Sequence, residues 1–130
     1  MTELWRLSAR DIAQGIQNKE FSATEITEAV LTRVAAKNPE LNAITVEFPE
    51  QALAAAAAAD ATLAPGDRTG PLHGVPITIK ENIDVAGQAT PNGVPAFANL
   101  IASEDAPLVR NLREAGAIII GRTNVPEFSM

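Results

Sequence analysis

Residues 70–87 read GPLHGVPITIKENIDVAG, and the five residues at their centre, Val75 to Ile79, decide the class of fold. The run Val-Pro-Ile-Thr-Ile is nearly continuous in apolar, β-branched side chains and is too short for an ordinary helix. A strand that does not alternate apolar with polar is buried on both faces, which calls for helices on both sides of the sheet. The run stops on a charge, Lys80. Ala117 to Ile120 (AIII) repeat the pattern, and Leu41 to Phe48 (LNAITVEF) supply a third short strand around Ile44, Thr45 and Val46.

Helix signals fill the space between and before these strands. Ser8 with Asp11 resembles a capping box ahead of Ile12 and Ile16. Ser22 with Glu25 is a better one, and Ile26, Val30, Leu31 and Val34 follow at helical spacing until Asn38-Pro39 ends the run. Pro49 suits a first helical position, and the alanine-rich segment after it continues the helix towards Pro65-Gly66. A polar turn, GDRTGP, spans Gly66 to Pro71. Ser103 opens the next predicted helix, with Glu104 and Asp105 in its first turn and Gly116 as its left-handed cap. The Gly-, Pro- and Asn-rich stretch GQATPNGVP between them reads as a surface loop near something functional or mobile.

Two strand–helix–strand units in series argue for an α/β fold with parallel strands and right-handed crossovers. Three short strands make a narrow sheet, with few helical faces to cover both of its sides. The chain also stops at Ser129-Met130 without a capping element. The expectation is therefore that residues 1–130 are the N-terminal portion of one larger domain, without a separate linker or tail; a complete small α/β domain is the alternative.

Composition narrows the function. The 130 residues carry ten Lys and Arg against sixteen Asp and Glu, a net charge of −6. An acidic chain is a poor direct partner for nucleic acid, whose phosphates require a basic face. With no cysteine and a single histidine, His73, thiolate metal sites, Fe–S clusters, a Cys nucleophile and most His-based triads are excluded. No metal and no cofactor is expected. The start MTELWRLSAR has no apolar core of a signal peptide, and no stretch approaches the ~18 apolar residues of a membrane span. A cytoplasmic protein without membrane contact is the expectation.

In open α/β sheets the ligand crevice lies beyond the carboxyl ends of the strands. Lys80 falls there, and so does Thr123-Asn124. A lysine closing an apolar strand either reaches water with its tip or is held partly neutral by burial, and the neutral amine is the form that accepts a proton or attacks a carbonyl. His73 precedes the strand, at the wrong end of the sheet, and reads as a structural, hydrogen-bonded side chain. Glu81 points away from Lys80 on an extended chain. Asn82 and Asp84 read as turn residues bonded to nearby backbone. No phosphate loop, dinucleotide fingerprint, HExxH or EF-hand pattern is present.

The stretch Gly70 to Gly87, Gly-Pro-Leu-His-Gly-Val-Pro with an apolar strand and then Lys and an acid, resembles the amidase signature family. Glu104 to Met130 (EDAPLVRNLREAGAIIIGRTNVPEFSM) is similar to the family's next helix, strand and Thr-Asn-x-Pro-Glu-Phe loop. Weaker similarity runs back to Leu7. The segment Gln88 to Gly93 departs from the family, keeping one threonine where a Thr-rich stretch is common.

The resemblance implies an α/β/α fold with a large mixed sheet, of which this chain is the N-terminal part. It also implies hydrolysis of amide C–N bonds by a serine nucleophile, a second serine with a cis peptide, and a lysine. The lysine carries over onto Lys80. Its neutral amine takes a proton from the bridging serine, an acyl-enzyme forms, and water releases the acid. The serine-rich segment would follow Met130, so the chain alone is expected to be inactive. Phe128, Ser129 and Met130 would approach the pocket of a small-molecule amide.

Two alternatives remain at this point. The first is one component, the A subunit, of a glutamine-dependent tRNA amidotransferase. The second is a non-catalytic piece that only folds or associates, with a second copy or with the missing C-terminal part.

Overall fold

The computed structural model describes residues 3–63 and 69–130, so Gly66 to Arg68 of the predicted polar turn lie outside the described residues. A 3-10 turn, Leu4–Arg6, leads into α1 (Ala9–Gln17) and α2 (Ala23–Leu41). Then come β1 (Ile44–Glu47), α3 (Pro49–Thr62), β2 (Pro76–Lys80), α4 (Pro107–Glu114) and β3 (Ile118–Thr123). The architecture is mixed α/β, with strands in the order β1-β3-β2.

Both predicted caps form. The Ser8 hydroxyl accepts from the Asp11 amide, and Ser22 and Glu25 close a reciprocal capping box at the start of α2. α2 runs past the predicted stop at Asn38-Pro39 to Leu41, with Pro39 inside its final turn. Tertiary bonds hold that turn. Asn38 Oδ1 accepts from the Ile44 amide at 2.9 Å, and its Nδ2 donates to the Ile44 carbonyl at 2.8 Å, so one side chain ties the helix end to the entry of β1.

Two apolar layers flank the sheet. On one side Ile12 and Ile16 of α1, Ala23 and Ile26 of α2, and Ala52 and Ala56 of α3 pack on Val75, Ile118 and Ile120. On the other, Val109 of α4 and Val85 cover Ile79 and Ile119. Ile118, Ile119 and Ile120 are thus buried from both faces, as a strand without alternation requires. The alanine run follows the same logic. Ala52 and Ala56 sit one turn apart and are buried, while Ala54, Ala55, Ala57 and Ala58 face solvent.

Three expectations are corrected. β2 pairs parallel with β3, but β1 pairs antiparallel with β3, so the sheet is mixed and β1–α3–β2 is not a parallel crossover unit. β3 lies between β1 and β2, and β1 is a short, mostly exposed edge strand, where antiparallel pairing on a parallel sheet is common. Second, β2 is not buried on both faces. It is the other edge, and Thr78 and Lys80 are exposed while Ile79 is buried.

Third, the helix expected from Ser103 begins at Pro107. The acid read as a first-turn charge has a tertiary role: Asp105 accepts the Ala86 amide at 2.8 Å and pairs with Arg113 at 2.9 Å. The far end of α4 is as predicted. Gly116 has φ +94, and a Cβ there would lie 2.7 Å from His73 Cα.

Candidate active site

The parallel register of β2 and β3 brings Lys80 beside Thr123 at the carboxyl ends of both strands. Lys80 is exposed, and among the described residues its ammonium takes part in no ion pair. Of the two placements open to a strand-end lysine, buried and exposed, this chain adopts the exposed one. Glu81 follows, half-buried, with its amide donating to the Thr123 carbonyl at 3.0 Å.

Beneath this strand end lies a residue the sequence reading did not single out. Arg122 of β3 is 1% exposed, and its guanidinium donates to backbone carbonyls on both flanks of the turn after Lys80. Nη2 reaches the Ile83 carbonyl at 2.7 Å and the Lys80 carbonyl at 3.3 Å. Nη1 reaches the Ala89 carbonyl at 2.9 Å, and Nε makes a long bond of 3.4 Å to the Ile79 carbonyl. Burial pushes the guanidinium below its ordinary pKa, a shift that the charges of Glu81 and Asp84 oppose. One available signal was an arginine set directly against the buried run Ile118–Gly121, where a freely solvated charge is out of place.

The loop after the turn folds back over the segment leaving β3. Asn82 Nδ2 donates to Ser129 Oγ at 3.0 Å, and Ser129 Oγ donates to Asn92 Oδ1 at 2.9 Å. The Phe128 amide donates to the Asn92 carbonyl at 2.9 Å. Asp84 accepts from the Thr90 hydroxyl at 2.6 Å. Asn82 therefore bonds a side chain of the segment leaving β3, and Asp84 one farther along the loop, not nearby backbone as expected. Phe128 stands edge-on to Phe97 with ring centres 6.2 Å apart.

Of the three predicted pocket residues, Ser129 is tied into this network, Phe128 is 46% exposed and Met130 is 90% exposed. Gly93 allows the loop its close approach. Its φ is +72, and a Cβ would fall 2.7 Å from the carbonyl of Pro126.

The remaining candidates have structural partners. His73 precedes β2, and its Nε2 lies 2.9 Å from the Ala59 carbonyl at the end of α3. Asn124 joins β3 to the chain before β1. Its amide donates to the Ala43 carbonyl, its Nδ2 to the Asn42 carbonyl, and its Oδ1 accepts from the Val125 amide. A cleft of about 600 Å³ lies by α1 and His73, away from the strand ends, and apart from His73 holds none of the residues above. Position at the strand ends, not concavity, marks the site.

Comparison with known families settles the lineage. The family model described as Amidase matches residues 25–130, a span that holds β2, Lys80 and Arg122. The chain belongs to the amidase signature family. It is 55% identical over 126 residues to an indoleacetamide hydrolase of Bradyrhizobium diazoefficiens, covering 97% of this chain and 24% of that protein. It is 41% identical over 130 residues to the A subunit of a glutamyl-tRNA(Gln) amidotransferase from Acidothermus cellulolyticus, covering 100% of this chain and 26% of that one. Among solved structures, the native peptide amidase from Stenotrophomonas maltophilia superposes with a TM-score of 0.84 at 36% identity, over 95% of this chain and 26% of that one. The chain thus spans about a quarter of the length of these amidase-family relatives.

Proposed function

We propose that the protein hydrolyses carboxylic amide C–N bonds of a small-molecule substrate, and that these 130 residues contribute its amine base, Lys80. The observation that carries this reading is the placement of Lys80. An amine without an ionic partner among the described residues stands at the carboxyl end of a parallel strand, in register with Thr123, beside the loop network of Asn82, Asn92 and Ser129.

Once deprotonated, such an amine accepts the proton of a bridging serine hydroxyl, and that serine activates the nucleophilic serine. The nucleophile attacks the amide carbonyl, ammonia or an amine leaves with a proton, and water then releases the acid. Both serines come from polypeptide beyond these residues, packed against the open strand ends of a single domain. Phe128, Ser129 and Met130 border the substrate. The 55% identity to an indoleacetamide hydrolase favours a simple amide over a macromolecular one.

The test replaces Lys80 with Ala in the protein produced from its complete gene. Turnover of aryl and alkyl amides is expected to fall about 10²–10⁴-fold, the range for loss of a positioned proton acceptor, with the circular dichroism spectrum unchanged. Turnover near that of the parent protein would remove Lys80 from the reaction.

The 41% identity over the whole chain to an amidotransferase component supports a second reading, ammonia release from glutamine for a partner protein. Glutaminase activity that requires a second polypeptide would select it; hydrolysis of simple amides by the isolated protein would select the first.

A further inference from the structure

Resting on the assignment of Lys80 as the amine base, we infer that Arg122 is the positioning residue of the site: its buried guanidinium clasps the carbonyls of Lys80, Ile83 and Ala89 and so fixes the turn from which the amine is presented.

A buried cation is expensive, and an apolar side chain of similar volume is commonly the more stable occupant of such a position. Arg122 is 1% exposed. Glu81 and Asp84 are close enough to act on its charge, yet its hydrogen bonds all go to carbonyl oxygens. A planar fork with five donors suits several carbonyls arranged around it; an ammonium, with three donors on one atom, does not span them.

The acceptors are informative in their positions. Lys80 and Ile83 open and close the turn, where the Ile83 amide also donates to the Lys80 carbonyl at 3.1 Å. Ala89 lies on the returning arm of the loop, in an isolated antiparallel bridge with Ile101. The peptide of Lys80 is therefore gripped from two directions, which fixes the direction of its Cα–Cβ bond and the origin of the amine. Loss of the clasp would leave the lysine present and charged but presented from a turn free to shift, and a displacement of about 1 Å at a reacting group costs on the order of 100-fold in rate.

The experiment compares Arg122→Lys, Lys80→Ala and the double variant, all in the protein produced from its complete gene. Arg122→Lys alone is expected to lower kcat about 10- to 100-fold with KM within about threefold, because binding surfaces are untouched. In the Lys80→Ala background the same change is expected to lower turnover less than about twofold, since there is no amine left to misplace. Amide exchange is expected to quicken at Ile83, Gly87, Gln88 and Thr90 while the β3 amides keep their protection.

Equal losses in both backgrounds, or faster exchange throughout, would reduce Arg122 to general stability and overturn the inference. So would an unchanged kcat. Should Arg122→Lys not fold, Ala89→Gly leaves the acceptor in place but frees its backbone; a severalfold loss of kcat, absent in the Lys80→Ala background, supports the clasp, and no loss overturns it. Should Lys80→Ala itself retain turnover, the fault lies with the assignment of the amine base, whatever Arg122 does.

Discussion

Asp60, near the end of α3, is the residue whose removal tests most directly how the helical layer is held. The start of α2 presents amides with no partner inside the helix. The capping box takes two: the Ser22 amide donates to the Glu25 carboxylate at 2.7 Å, and the Glu25 amide donates to the Ser22 hydroxyl at 3.0 Å. Asp60 takes two others. Its Oδ1 accepts from the Ala23 amide at 2.7 Å, and its Oδ2 accepts from the Thr24 amide at 3.0 Å and the Thr24 hydroxyl at 2.6 Å.

Ala23 is fully buried, so its amide finds no water once the carboxylate is gone. Hydrogen bonds to a charged group contribute about 1.5–3 kcal/mol each, and the helix-terminus charge about 0.3–1 kcal/mol more. Thr24 is partly exposed and recovers part of its share from water. Asp60→Ala is therefore expected to cost about 3 kcal/mol.

Asp60→Asn keeps one oxygen for Ala23 but turns a donor towards the Thr24 amide, for a loss of about 1–2 kcal/mol. The assay is urea unfolding followed by the fluorescence of Trp5, whose ring lies under Arg33 of α2 at 4.2 Å. With a slope of about 2 kcal/mol per molar urea, the Ala variant shifts the midpoint down by about 1.5 M. A loss below about 1 kcal/mol for Asp60→Ala, or equal losses for Ala and Asn, would refute the account.

Two further perturbations probe the loop and the core. Gly93→Ala places a methyl 2.7 Å from the Pro126 carbonyl at φ +72, which combines left-handed strain of about 1–2 kcal/mol with overpacking of about 1–3 kcal/mol. Because Pro126 leads directly into Phe128 and Ser129, kcat/KM for amide hydrolysis is expected to fall about tenfold or more, and kinetics equal to the parent protein would contradict the proposed role of that segment. Thr27 is fully buried in α2, and its hydroxyl has no partner among the described residues. Thr27→Val removes an unsatisfied polar group at constant shape, so stability is expected to stay level or rise by about 1 kcal/mol, and a loss above about 1 kcal/mol in the same urea assay would count against that reading.

What the sequence revealed of the fold follows a physical division. The caps at Ser8 and Ser22 are legible because each joins residues three apart. The burial of Ile118 to Ile120 is legible because an unbroken apolar run has nowhere else to go. The direction of β1 was not. Ile44 to Glu47 encode a strand, but their partner is Gly121 to Thr123, far along the chain, and nothing local reports which way the two run. The acids Glu104 and Asp105 misled for a related reason. A carboxylate ahead of a helix fits a first-turn charge, yet Asp105 is spent on the Ala86 amide, nineteen residues back along the chain, and on Arg113, and nothing local announces the first of these.

The site divides along the same line, with one refinement. Lys80 stood out because a charge ends an apolar run, an anomaly visible in one dimension. Arg122, set against an equally apolar run, carries the same kind of anomaly, but its partners are not legible, because they are carbonyls and every residue has one. A guanidinium that binds carboxylates leaves a trace in the acids near it; one that binds carbonyls recognises the path of the backbone and leaves none. Lysine at position 122 is therefore expected to disturb the turn that presents Lys80, although the substitution keeps the charge. The least legible part of the site is thus the part most sensitive to a conservative substitution, because what it reads is conformation.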